Sequence, residues 1–330
     1  MSNTPRVSVL LASRDGERHL DESLASLAAQ TFPEVEVVAV DDGSHDRTGE
    51  RLERFAREHP RARVLHTHGI GLSGALALAA KEARGELLAR QDDDDVSRPE
   101  RFARQVQFLD EHPTTAVVGT ATEVIDESGR STGAYPVPIA PDAIRRVTRR
   151  APPFVHGSVM MRRAEYERAG GYRAAFRASQ DLDLWLRMRP EAFANLHEPL
   201  YLWRRHAASV FARARVRQLF FAAVACEFAA ERAAGGGDSY ALLERMTDPD
   251  AFLASYPRAA SLRFRLGEAY VREGRVAEAR RFLAGAMGSP DARLKALAWW
   301  LLSWPVALTP RAARARAAEA SGALEARGPA

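Results

Sequence analysis

The chain contains a single cysteine, Cys226, in 330 residues, which excludes an intrachain disulfide and fits a reducing compartment, here expected to be the cytoplasm. Lysine is nearly missing as well: Lys81 and Lys295 stand alone, arginine carries almost all the positive charge, and the formal net charge is only +4. The basic clusters RRVTRR (145–150) and RAARAR (311–316) hold no aromatic residue, so neither resembles a groove for single-stranded nucleic acid. No nucleic-acid partner is expected. Long apolar runs are also lacking. The first, VSVLL at 7–11, is too short for a signal peptide, and no run reaches the roughly 18 residues of a membrane span. A glycine-rich phosphate loop after the first apolar run is absent, because ASRDGERH has one glycine. The run GIGLSG (69–74) does fit G-x-G-x-x-G, but it follows the third apolar run, whereas the dinucleotide fingerprint belongs to the first turn.

Hydrophobic residues make up 46% and charged residues 27% of the chain, a globular composition. Five short apolar runs, VSVLL (7–11), VEVVAV (35–40), ARVLH (62–66), ELLAR (86–90) and TAVVG (115–119), are continuous rather than alternating. That pattern suits parallel strands covered on both faces. Between them, 18–30, 46–58, 72–84 and 99–112 carry helical spacing, with Leu20, Leu24 and Leu27 on one stripe. The repetition predicts a doubly wound α/β domain, whose ligands bind beyond the carboxyl ends of the strands. From about 120 the pattern becomes mixed: a hairpin-like stretch turning at DESG, a helix at 141–150, an apolar run at 158–162, a helix at 181–188, and strands within 194–206.

Beyond residue 211 only helices are expected, which divides the chain into 1–210 and 211–330. Within 262–287, Leu266, Gly267, Tyr270, Ala279, Leu283 and Ala286 stand at the spacing of one tetratricopeptide-like helix pair. The segment ALAWWLLSWPVAL (296–308) has the length of a buried core helix or of an interfacial one, so peripheral membrane contact is a candidate role.

Three strand ends carry polar clusters. In ARQDDDDVSRP (89–99) four aspartates follow a buried run. Like charges this close ask for a cation, and hard ions such as Mg2+ or Mn2+ take one or two carboxylates while diphosphate oxygens supply further ligands. A solvated acidic turn capping the next helix is the plain alternative. In VAVDDGSHDRT, Asp42 ends a strand, where a carboxylate can accept hydrogen bonds from a nucleoside; an ordinary turn is the alternative there. In RASQDLDLWLRM, Asp181 opens a helix with Leu182, Trp185 and Leu186 on one stripe. A carboxylate held so firmly can act as a general base, and a helix start favours its ionised form.

Taken together, VSVLLASRDGERHLDESLASLAAQTFPEVEVVAVDDGSHDRT, GLSGALALAAKEARGELLARQDDDDVSRPERFARQVQFLDEHP, HGSVMMRRAEYERAGGY and SQDLDLWLRM resemble the successive motifs of glycosyltransferase family 2, over residues 5–206. The resemblance implies a GT-A fold, a Rossmann-like and mostly parallel sheet with helices on both faces. It implies inverting transfer of a sugar from a nucleoside diphosphate donor, with a UDP-sugar favoured and GDP or dTDP as alternatives, to a saccharide or lipid-linked acceptor. It makes Ala12, Ser13 and Arg14 the edge of the nucleoside pocket, Asp42 the base-contacting acid, Asp92 and Asp93 neighbours of ribose and diphosphate, and Asp94 the metal ligand. Asp92 and His206 are further candidates for the metal. Asp181 matches the general base, and His156, Gly157, Gln180 and Trp185 fall near the acceptor or donor sugar.

Two departures stand out. The family's usual Pro-Thr-Tyr-Asn is Ala12, Ser13, Arg14 and Asp15 here, which removes an aromatic residue from the nucleoside pocket, and Gln180 replaces a Glu ahead of the base. They motivate a competing expectation, a non-catalytic nucleotide-sugar-binding or scaffold protein.

Overall fold

The computed structural model describes residues 4–205, 215–288 and 290–306. The chain divides into two compact units, up to Arg215 and from Val216 onward. The first begins with β1 (Val7–Ser13), α1 (Glu17–Ala28), β2 (Val35–Asp41), α2 (Thr48–Glu58), β3 (Ala62–His66), α3 (Gly71–Glu82) and β4 (Leu87–Gln91). It continues with β5 (Val96–Ser97), α4 (Arg101–Glu111), β6 (Val117–Ile125), β7 (Ser131–Tyr135), α5 (Pro141–Thr148), β8 (Met160–Arg162), α6 (Arg163–Arg168), α7 (Gln180–Trp185) and β9 (Phe193–Arg204).

These strands form one sheet in the order β3-β2-β1-β4-β8-β6-β9-β5, with β7 on the edge of β6. The first four are parallel. β8 runs antiparallel between β4 and β6, so the second half is mixed, as the sequence pattern predicts. Every residue of β1 is buried, because the strand is covered on both sides. Val7, Val9 and Leu11 face Leu20 and Leu24 of α1, Leu52 of α2 and Phe102 of α4. Leu10 and Ala12 face Leu76 and Ala79 of α3, with Trp185 and Phe193 beyond them. Burying such side chains stabilises the fold by roughly 1.5–3 kcal/mol each, which is why a continuous apolar run is kept.

After β1 the chain crosses to β2 and β3 on one side, while β4 lies on the other. The carboxyl ends of β1 and β4 therefore flank the point where strand order reverses, with Leu11 opposite Gln91. Loops at such a point have no crossover above them and leave a crevice for ligand.

The second unit is helical: α8 (Arg215–Ala233), α9 (Tyr240–Glu244), α10 (Pro249–Ser255), α11 (Ala259–Arg272), α12 (Val276–Ala286) and α13 (Pro290–Val306). Leu266, Gly267 and Tyr270 of α11 are buried, as are Ala279, Leu283 and Ala286 of α12. Gly267 permits the close approach, since a Cβ there would lie 2.5 Å from Leu283 Cγ. On α13 Trp299 and Trp300 are half-buried, with the Arg272 guanidinium over Trp299 and that of Arg280 over Trp300, while Leu294, Leu297 and Leu301 are exposed. Among the described residues, no helix is long and apolar enough to cross a membrane.

Candidate active site

Beyond Ala12 and Ser13, both buried at the end of β1, the chain turns sharply against the aspartate loop. The Ser13 hydroxyl donates to the Asp93 carboxylate. Gly16 passes so close to Asp93 that a Cβ there would collide with it. Between them Asp15 takes φ 53°, a left-handed conformation costing roughly 1–3 kcal/mol in a non-glycine residue. The segment after β2 holds it there: Asp15 N donates to Ser44 Oγ at 3.0 Å, Gly16 N to Thr48 Oγ1 at 2.9 Å, and His45 N to Asp15 Oδ1 at 2.7 Å.

The four aspartates have separate surroundings. Asp95 is buried and accepts from Tyr201 Oη at 2.8 Å and from Arg204 N at 2.7 Å, both on β9; it anchors the loop, and burial pushes its pKa well above the usual carboxylate range. Asp93 keeps some accessible surface but is ringed by protein. Burial, then the neighbouring Asp94 charge, raise its pKa to about 7 against the Ser13 hydrogen bond. Asp92 pairs with Arg90, Nη2 to Oδ1 at 2.5 Å. Asp94 is fixed through its main chain, its carbonyl accepting from Arg204 Nε at 2.8 Å, and its side chain is partly exposed.

The opposite wall is a single turn of 3-10 helix, His156–Ser158, ahead of β8. Gly157 lies against Asp92 and Tyr201: a Cβ there would be 2.7 Å from Asp92 Oδ2 and would collide with Tyr201 Oη. Only glycine lets this backbone approach the aspartate loop. His156 Nε2 lies 2.8 Å from Tyr172 Oη. Burial and the Arg90 charge hold the His156 pKa well below 6.5, so the ring is neutral at pH 7.

Asp181 stands on the first turn of α7, behind Ser179, which is left-handed at φ 53°. Among the described residues, Asp15 and Ser179 are the non-glycine residues with positive φ, and both adjoin this crevice. Burial raises the Asp181 pKa to about 6, against hydrogen bonds from the amides of Leu182 and Asp181 itself; the Asp92 charge pushes further up and Arg90 pulls down. The helix start does favour the ionised form, as the sequence suggests, but burial outweighs it. Asp183, fully buried two residues onward, accepts from Arg173 Nε and Arg187 Nη2, each at 2.9 Å. Arg187 also donates to Gly171 O at 2.6 Å, tying α7 to the loop that carries Tyr172.

Two site expectations meet a different environment. Trp185 is wholly buried, edge-on to Phe154 and Phe193 at 5.3 and 6.0 Å, so its ring supports the wall under His156 and offers no surface to a ligand. Asp42 lies beneath the loop after β3, its Oδ1 accepting from Thr67 Oγ1 at 2.6 Å and Ile70 N at 2.7 Å, its Oδ2 from Gly71 N at 2.8 Å. The GIGLSG run is therefore a turn and helix start organised by Asp42. Gln180 is buried beside Asp181, and His206 lies outside the described residues.

Sequence reasoning missed Arg90, Arg101, Tyr172 and Tyr201. Arg90 and Arg101 are fully buried. Arg101 Nη1 donates to Ser97 Oγ at 2.8 Å and Nη2 to Arg90 O at 2.8 Å, under the Tyr201 ring; burial, with Arg90 nearby, lowers its pKa to about 10. A signal for Arg90 was available: a cation in the middle of a doubly covered strand needs a buried partner.

A parallel half, a mixed half and an acidic loop at the switch point match the GT-A fold that the sequence resemblance implies. The comparisons agree. Residues 8–170 match the model of glycosyl transferase family 2. The chain is 36% identical to the putative glycosyltransferase EpsE of Bacillus subtilis over 61% of its own length and 73% of EpsE. It is 30% identical to the amylovoran biosynthesis glycosyltransferase AmsE of Erwinia amylovora over 55% of its length and 68% of AmsE. The fold matches S. aureus TarS 1-349 in complex with UDP-GlcNAc (TM-score 0.57, 18% identity, 91% of this chain and 89% of that one). It also matches the mannosyltransferase PcManGT from Pyrobaculum calidifontis in complex with GDP-Man and Mn2+ (TM-score 0.52, 19% identity, 93% and 87%). The chain belongs to glycosyl transferase family 2, and it is a glycosyltransferase.

Proposed function

We propose that the enzyme moves a sugar, with inversion, from a nucleoside diphosphate-sugar to an acceptor hydroxyl in bacterial polysaccharide or glycoconjugate assembly. The observation that carries this reading is the convergence of Asp181 with the aspartate loop, where Asp92 and Arg90 both act on the Asp181 carboxyl. A base poised near 6 is ionised at pH 7 and still basic enough to take a proton. Asp181 removes the acceptor hydroxyl's proton as that oxygen attacks the anomeric carbon. The bond from that carbon to the diphosphate oxygen breaks, and its electron pair leaves with the diphosphate. Neutral His156 and the Gly157 backbone line the side of Asp92 where the sugar would lie.

The donor set fits a hard dication. Asp95 is bound inside the fold and Asp93 is tied to Ser13; the partly exposed Asp94 would hold Mg2+ or Mn2+, with Asp92, whose Oδ1 pairs with Arg90, as a second candidate. Among the described residues no group of three or more His, Cys, Asp and Glu could hold a metal unaided, as expected where diphosphate completes the coordination. Such an ion, when bound, offsets the charge of the departing diphosphate. Three donors occupy the Asp42 carboxylate, leaving room for about one more. Asp42 therefore holds the loop after β3, and a UDP-sugar as donor rests on the family resemblance. The nucleotides bound to TarS and PcManGT and the names of EpsE and AmsE support the same class. The acceptor would be a saccharide or lipid-linked saccharide at the cytoplasmic face of a membrane, met by the exposed leucines of α13.

Calorimetric titration with UDP, dTDP, GDP and CDP, each with and without Mn2+, tests this. Metal-dependent binding of one nucleotide is expected, and Asp94→Ala should abolish the dependence on metal. No binding by any of the four would sink the proposal.

A further inference from the structure

β9 takes one edge of β6 along its whole length, Val117 to Ile125, so β8 and β7 share the other. β8 pairs there with Val117 and Val118, and β7 pairs from Thr122 onward. Through Met160 of β8, Val118 is level with Ala89 of β4. Thr122 and β7 therefore stand past the carboxyl end of β4, level with the aspartate loop. Thr122 is opposite Tyr135 on β7 and Tyr201 on β9, so the two tyrosines rise from one face of the sheet. That face lines the crevice: Tyr201 Oη accepts from Asp92 N at 3.2 Å, and Gly157 lies against both Tyr201 and Asp92. Two residues along β9, Trp203 projects to the same side and meets the Tyr135 ring at 83°, with centroids 5.1 Å apart. The Arg205 guanidinium lies over the indole, 5.5 Å from its centre. Tyr135 is nevertheless 39% exposed, on a strand whose residues are all exposed.

We propose that Tyr135 and Trp203 form a platform for the second sugar of the acceptor, so that the enzyme takes an oligosaccharide in preference to a single sugar. The inference rests on the reading of the crevice as the site of transfer and names the class of acceptor it serves. A pyranose presents a face of C–H groups, which packs on the electron-rich face of an aromatic ring. Its hydroxyls can meanwhile meet the Tyr135 hydroxyl and the Arg205 guanidinium, which donates hydrogen bonds. Two strand spacings, about 10 Å, separate Tyr135 from Tyr201, more than one sugar ring spans. An acceptor whose reacting end lies beside Asp92 and Gly157 therefore lays its next ring on Tyr135. The platform belongs to the mixed half of the sheet, away from the ends of β1 and β2, and leaves the nucleotide untouched.

The test titrates the full chain, in Mn2+ and the nucleotide it binds, with glucose, galactose, mannose and N-acetylglucosamine and with their di- and trisaccharides in α and β linkage. At least one disaccharide should bind about tenfold more tightly than its monosaccharide. Tyr135→Ala and Trp203→Ala should each remove most of that gain, and Tyr135→Phe should keep it because the ring face remains. Nucleotide affinity should stay at the wild-type value in all three variants. Equal affinity for mono- and disaccharides, or a gain that survives Tyr135→Ala, would overturn the platform and leave the site of transfer standing. So would a wild type that binds nucleotide but none of the glycans. Parallel losses of nucleotide and disaccharide in Tyr135→Ala would also overturn it, because the ring would then support the crevice itself. If the wild type bound neither nucleotide nor glycan, the platform and the proposed function would fall together.

Discussion

Asp181 owes its raised pKa, about 6, chiefly to burial, and the sign of that shift has two consequences. In the proposed reaction the base acts in its ionised form, so kcat/KM should rise as pH increases through about 6 and level off above it. Asp92→Asn removes a charge that raises this pKa, and should move the acid limb to lower pH in whatever activity remains. Linkage adds the second consequence. A carboxyl whose folded pKa is raised stabilises the fold only at low pH, and that contribution is lost as pH rises from about 4 through about 6. Asp181→Asn should therefore lower turnover by about 10²–10⁴, leave nucleotide affinity nearly unchanged, and raise Tm at pH 7 by a few degrees. A fall in Tm would mean that the carboxylate serves the fold rather than the reaction. The sequence places Asp181 at a helix start and the DDDD run at a strand's carboxyl end, and the structure has both there. The division of labour among the four aspartates was not legible, because it depends on Tyr201 and Arg204, more than a hundred residues away. Asp42 stands at the strand end the sequence indicates, but its partners belong to the loop after β3, whose glycine spacing points to a different motif.

At the scale of elements, α11 and α12 meet through the bare face of Gly267. Gly267→Ala should cost roughly 1–3 kcal/mol by overpacking against Leu283, and Leu283→Ala roughly 2–5 kcal/mol by opening a cavity. Because the two side chains would compete for one space, the double variant should be less destabilised than the sum of the singles; denaturant unfolding of all four proteins checks it. Simple additivity would show that the helices do not touch there. Helix pairing was readable because spacing along a helix fixes a face. So were α1 to α4, whose ends fall within about two residues of the sequence expectation, as propensity and apolar stripes allow. Less visible were the reach of β6 to Ile125 and the two-residue β5. Beyond Thr120 the burial of β6 becomes patchy because one edge carries only β7. The helix expected over 181–188 stops as a regular element at Trp185, where the Arg187 side chain turns back to hold the Gly171 carbonyl.

For the whole molecule, the division at Arg215 and Val216 leaves each unit with its own apolar core, and cooperativity follows shared burial. Ligand that binds the crevice stabilises the unit containing it by RT ln(1 + [L]/Kd), about 2.7 kcal/mol at a hundredfold excess over Kd. Scanning calorimetry of the full chain should then resolve two transitions. The nucleotide selected in the titrations, with Mn2+, should raise only the transition of the first unit, and Gly267→Ala should lower only the other. A single transition moved by both treatments would mean that the two units unfold as one. The helical unit would then act on catalysis through stability, and its substitutions would change activity without touching the crevice. Two independent transitions would leave the helical unit free to serve the acceptor. In that case removing the exposed side chains of Leu294, Leu297 and Leu301 should lower turnover on a membrane-bound acceptor while leaving donor hydrolysis in solution unchanged.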